Sequence, residues 1–181
     1  RNAVGEVVDR GVKLSSVSGA LVGKGNHRHF MLKEIYEQPA VIGETLNTYF
    51  NPASRSIQLP PAPFDLATVP KITIIACGTS YYAAMVAKYW FERVAGLAVE
   101  IDIASEFRYR ATPMPDGGLA LFVSQSGETA DTLAAMRFAK DNGQHTAVIV
   151  NVPESSMSRE ADYILPTHAG PEIGVASTKA F

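Results

Sequence analysis

Two short stretches concentrate hydroxyl side chains beside glycine. In "SQSGET" (124–129), Ser124, Ser126 and Thr129 surround Gly127; in "CGTS" (77–80), Thr79 and Ser80 follow Gly78. A serine or threonine hydroxyl donates and accepts hydrogen bonds without adding charge. Glycine lets the backbone turn tightly and approach a ligand closely. At a helix N-terminus, unpaired N–H groups carry roughly half a unit of positive charge, so such a cluster there suits a phosphate. The competing role is plain capping, in which one hydroxyl oxygen accepts an N–H of the first turn and adds about 1 kcal/mol. Each stretch holds more hydroxyls than one cap needs.

Other chemistries fit these residues less well. There is no G-x-x-x-x-G-K-[ST] phosphate loop, and no G-x-G-x-x-G follows a strand. Ser124 and Glu128 stand where a G-x-S-x-G elbow around Ser126 would need glycines. Nucleophilic attack by a serine also needs a positioned base, and His145 and His168 sit in no supporting motif. Cys77 at a strand end fits a small core residue better than a reactive thiol. The His27-Arg28-His29 group lacks nearby Cys, Asp or Glu and reads as a solvated loop rather than a metal site. What remains is a neutral cradle of hydroxyls and amides for a phosphorylated small molecule. Its turns contain Glu128 but no Lys or Arg.

The elements that would position this cradle alternate from Lys71 onward. "KITIIAC" (71–77) is a β-branched run typical of a strand covered on both faces. Further strands are expected over 97–105, 118–126, 145–152 and 162–167. Helices are expected over 80–96 and 129–143, each closed by glycine, with short helical turns at 106–110 and in "SSMSREA". Such βαβ alternation predicts a doubly wound parallel sheet with ligands at the carboxyl ends of its strands, where both hydroxyl stretches lie. Before it, "FMLKEIYEQPAVIGETLNTYF" has helical periodicity broken by Pro39, and "NPASRSIQLPPAPFDLATVP" reads as an irregular connection. Residues 1–30, with five glycines, read as a linker or the tail of another domain. The expected organisation is thus a tail (1–30), a lead-in (31–70) and an α/β domain (71–181).

The bulk numbers narrow the partners. A net charge of −2 gives no general attraction to nucleic acid or to an anionic membrane. No apolar run approaches the roughly 18 residues of a membrane span. Cys77 is the single cysteine, which favours a reducing compartment and a cytoplasmic location. The chain begins with Arg1 and stops at Phe181 in what reads as a newly begun helix, so a fragment of a longer protein is expected.

"CGTS", "SQSGETADTL", "DIASEFRYR" (102–110) and "EIGVASTKAF" (172–181) resemble the isomerase part of the glutamine–fructose-6-phosphate aminotransferases, and "KEIYEQP" (33–39) resembles the segment leading into it. The resemblance runs over about residues 31 to 181, apart from the Pro-rich stretch near 51–70. That family's isomerase half has two sugar isomerase (SIS) subdomains, each a flavodoxin-like three-layer α/β/α sandwich, and this chain is similar to the first.

The resemblance implies contacts to fructose 6-phosphate from Thr79, Ser80, Ser124, Gln125, Ser126 and Thr129. Val175, Ala176 and Ser177 would line the sugar side, although a helix start covering the sheet edge is an equal reading for Val175 and Ala176. It implies no catalytic residue, metal or cofactor in this chain. The family's glutaminase cysteine, proton-transferring glutamate, ring-opening histidine and imine-forming lysine have no counterpart here, and Lys179 belongs to "STKAF" instead. The missing partners would be a glutaminase domain and a second SIS subdomain. The implied ligands are fructose 6-phosphate and glucosamine 6-phosphate, the implied assembly a homodimer. The same fold also serves noncatalytic sugar-phosphate sensors and fructosamine-phosphate deglycases. Sensors place a helix-turn-helix domain first, and residues 1–30 offer no basic recognition helix.

Overall fold

The structure, a computed structural model, describes residues 4–7 and 23–181. Most of the expected tail (1–3 and 8–22) lies outside those residues. The first long element is α1 (Phe30–Tyr49), a continuous 20-residue helix with Pro39 inside it. Pro39 therefore does not break the helix: a proline forfeits one backbone bond, and the turns on either side carry on.

The Pro-rich connection is less irregular than its composition suggests. β1 (Phe50–Asn51) and β2 (Ser56–Ile57) pair antiparallel in a small ribbon, and Leu66–Thr68 form a 3-10 turn capped by Asp65. Phe64 stacks on His145 with 4.2 Å between ring centroids, and Tyr163 donates its hydroxyl to the Pro60 carbonyl at 2.8 Å. The connection is pinned across the edge of the main sheet.

That sheet has five parallel strands, β3 (Lys71–Ala76), β4 (Ala98–Ile103), β5 (Leu119–Ser124), β6 (His145–Val150) and β7 (Tyr163–Pro166), in the order β4-β3-β5-β6-β7. This is the flavodoxin-like arrangement, with its topological switch between β3 and β5. The helices are α2 (Gly78–Trp90), which continues as a π-turn over Phe91–Ala95, then α3 (Ala104–Phe107), α4 (Ala130–Asp141) and α5 (Ser156–Glu160).

Strand alternation divides the core in two. Ile72, Ile74, Leu121 and Val123 face one way with Ala84 of α2, while Ile75, Phe122, Val148 and Val150 face the other with Ala135, Met136 and Ala139 of α4. A three-layer α/β/α sandwich results. Expected strands overrun the observed ones mostly at their carboxyl ends, where the chain leaves the ladder to form the hydroxyl-bearing turns. Residues 172–181 contain no helix. Four of their N–H groups are taken by carboxylates: Ile173 and Gly174 donate to Glu34, and Thr178 and Lys179 donate to Glu172.

Candidate functional site

Both hydroxyl stretches leave neighbouring strands at the switch point. Gly78 and Gly127 adopt positive φ, +58° and +63°, so each turn uses a conformation that favours glycine. Gly127 is also enclosed, since a β-carbon there would lie 2.1 Å from Ser155 Oγ and 2.9 Å from Val150 Cγ2.

The 124–128 turn is braced from inside and from behind. Gly127 N–H donates to Ser124 Oγ at 3.1 Å and Glu128 N–H to Ser126 Oγ at 3.2 Å. Behind it, α5 supplies Met157 N–H to the Gly127 carbonyl at 3.1 Å and Ser156 N–H to the Glu128 carboxylate at 2.7 Å. The Ser156 backbone bond, followed by that residue's side chain, holds the Glu128 carboxyl below its ordinary range. Glu128 lies in the expected turn, but its carboxylate is turned to α5 and does not line the cavity.

All nine residues expected at the site line a single open cavity of about 400 Å³: Thr79 and Ser80, Ser124, Gln125, Ser126 and Thr129, and Val175, Ala176 and Ser177. Cys77, Gly78, Tyr82, Val123, Thr132 and Gly174 complete the lining, which includes no charged side chain. Plain capping does not explain the hydroxyls. Thr129 is the N-cap residue of α4, yet its side chain makes no cap bond. Ser80 lies inside α2, whose N-cap is Cys77, and Ser126 lies outside any helix. The first-turn N–H groups of two helices, both starting beside the cavity, add donors to those hydroxyls.

The third wall comes from the segment after β7. Val175 is fully exposed, and the Ser177 hydroxyl donates to Glu172 at 2.8 Å. Helix α1 holds this segment. Glu34, its one buried residue, accepts from Ile173 N–H at 2.6 Å and from Gly174 N–H at 3.1 Å. Lys179, also buried, donates to Glu37 at 2.8 Å, and Gln38 donates to the Thr178 carbonyl. Burial works to raise the Glu37 carboxyl, but the bonds from Lys179 and Lys33 outweigh it and leave it below its ordinary range. Sequence reasoning missed Glu34, Glu37 and Glu172. "KEIYEQP" reads only as part of a helical lead-in, and nothing local signals a partner some 140 positions away.

In a five-stranded sandwich of this kind the switch point is where a ligand is expected, and the hydroxyl-lined cavity lies there. The SIS domain model matches residues 65–181, and the chain belongs to that family. Its similarity to glutamine–fructose-6-phosphate aminotransferases is extensive. The Zymomonas mobilis protein of that name is 63% identical over 97% of this chain and 29% of its own length. The Brucella abortus protein is 56% identical over 96% of this chain and 29% of its own length. The chain thus spans about 29% of the curated relatives it matches.

Among solved structures, the C-terminal domain of the Francisella tularensis glucosamine–fructose-6-phosphate aminotransferase superposes with a TM-score of 0.77. It is 45% identical and covers 88% of this chain and 45% of that one. A Thermotoga maritima glucosamine-6-phosphate deaminase, at 24% identity and a TM-score of 0.62 over 77% of this chain and 40% of that one, shares the fold.

Proposed function

We propose that this chain is the fructose 6-phosphate-binding subdomain, the first of two SIS units, of a glutamine–fructose-6-phosphate aminotransferase that forms glucosamine 6-phosphate. The observation that carries the reading is the convergence of three hydroxyl-bearing segments on one uncharged cavity between two helix N-termini. On this reading Ser124, Ser126, Thr129 and the neighbouring amides hold the phosphate, with Gln125, Thr79 and Ser80 beside them. Val175, Ala176 and Ser177 face the sugar. Residues 71–181 are the binding unit and 31–70 a lead-in that braces it. Glutamine hydrolysis and proton transfer between sugar carbons belong to other parts of the parent enzyme, and the segment alone has no catalytic activity. The single free cysteine fits a cytoplasmic setting.

Homodimerisation through this half of the enzyme is part of the same proposal. Its support is the outer face of α2, where Tyr82, Val86, Tyr89 and Trp90 are all more than half exposed at helical spacing.

The test is calorimetric titration of fructose 6-phosphate and glucosamine 6-phosphate, with Ser126→Ala and Thr129→Ala as variants and Thr48→Ala, an exposed hydroxyl of α1, as the control outside the cavity. Each lost hydrogen bond to a charged group should weaken binding by about 1.5–3 kcal/mol, roughly tenfold or more. Equal affinity in all four proteins would refute the cradle.

A further inference from the structure

We propose that Glu34 is a positioning residue that sets the sugar-facing wall of the cavity, a role that rests on the sugar-phosphate reading above. Helix α1 exposes much of its apolar surface, with Tyr36, Ile42 and Leu46 all more than half accessible, and buries a carboxylate instead: Glu34 is 2% exposed. Burying a charge is costly unless its bonds compensate, and here both oxygens are used. Oε1 accepts from Ile173 N–H at 2.6 Å, and Gly174 N–H is shared between Oε1 and Oε2 at 3.1 Å each.

These two N–H groups immediately precede Val175, Ala176 and Ser177. Val175 is fully exposed, so its side chain contributes no packing that would hold the wall. The wall is instead suspended between two carboxylates, Glu34 before it and Glu172 after it, the latter accepting from Ser177 Oγ at 2.8 Å and Lys179 N–H at 3.0 Å. Position 174 shows how close the first attachment is, because a β-carbon there would stand 2.5 Å from Glu34 Oε2. A glycine at 174 lets the backbone reach the carboxylate. Glu34 itself does not line the cavity, so it acts on a ligand only through the position of the wall.

The phosphate end of the cavity is built from other elements, the turns after β3 and β5, which α1 does not hold. A positioning role therefore predicts a split between ligands, where a general contribution to folding predicts none. The protein, in the full-length form its relatives take, would be titrated with fructose 6-phosphate and with inorganic phosphate as wild type, Glu34→Gln and Gly174→Ala. Glu34→Gln keeps the size of the side chain but removes its charge and sets an amide NH2 group in the Oε2 place, against the Gly174 N–H. Gly174→Ala pushes the same contact apart from the other side, its methyl facing Glu34 Oε2, and leaves the residues of α1 unchanged. Both variants should lose about tenfold in affinity for fructose 6-phosphate while inorganic phosphate binds as in wild type.

Equal losses for the two ligands, or none for either, would overturn the role. If Glu34→Gln fails to fold, Gly174→Ala decides on the same criterion. The two levels of the proposal fail differently. A wild type that binds neither ligand overturns the sugar-phosphate reading and this role with it, whereas a wild type that binds both, beside variants without the split, overturns the Glu34 role alone.

Discussion

Replacing Gly127 by alanine strains the chain in two separable ways. The backbone at +63° is left-handed, which costs an L-residue about 1–2 kcal/mol. The new methyl would also meet Ser155 Oγ at 2.1 Å and Ser155 Cβ at 2.5 Å, atoms of a residue only 2% exposed. Overpacking a well-filled site typically adds about 1–3 kcal/mol, for a total of roughly 2–5 kcal/mol. For a domain of this size that is a fall in Tm of about 5–20 °C. Gly143→Ala supplies the control, since Gly143 has a similar φ of +74° but nothing within 4 Å of a β-carbon. It should lose only the conformational part, about 1–2 kcal/mol. Urea denaturation of both variants, followed by circular dichroism, measures the difference. Equal losses would show that the 124–128 turn does not press on α5, and the account of how the cradle is braced would fall.

Thr129→Ala should leave stability within about 0.5 kcal/mol of wild type, because its hydroxyl makes no cap bond; a larger loss in urea denaturation would count against that geometry. Ser155→Ala should cost about 1–2 kcal/mol in the same assay, since this buried hydroxyl caps α5 through Ser158 N–H and bonds Ser158 Oγ at 2.9 Å. The pH dependence follows from Glu100, whose carboxyl is held below its ordinary 4.5 by the Lys71 bond, against opposing burial, with help from Arg110. A lowered folded-state value means that the contribution is complete above the ordinary value and is lost as pH falls through the folded one. Tm should therefore hold between about pH 7 and 5 and decline below about pH 4.5, with a shallower decline in Lys71→Met; scanning calorimetry across that range checks both.

The parallel sheet was legible because its strands are β-branched runs buried on both faces, as in "KITIIAC", and because glycines mark where the helices stop. The hydroxyl turns were legible for the same local reason, since glycine and Ser/Thr at a strand end carry their own stereochemistry. Pro39 shows where a local rule gives way: α1 tolerates one missing backbone bond because the rest of the helix is intact and the segment 166–180 packs beside it. Glu34 shows what no local rule reaches. Its neighbours in "KEIYEQP" give it the look of a surface residue, and only the arrival of Ile173 and Gly174 turns it into a buried acceptor. The newly begun helix expected at the end of the chain is absent: the segment is irregular, with Ile173 and Gly174 donating to Glu34 and Thr178 and Lys179 to Glu172.

The bond between Glu34 and Gly174 joins residues 140 positions apart, across almost the whole described chain. Closing a loop of that length costs about 4 kcal/mol in chain entropy before any contact compensates. The sheet between them is assembled from much shorter crossovers and can form first. The cavity wall at 173–177 should thus be the last part of the molecule to take shape and the first to open, and amide exchange at 173–174 should outpace exchange in β3 and β5. A ligand that touches both the early-forming turns and this late-forming wall would bind only the completed fold, and so would hold the whole length of the chain together by mass action.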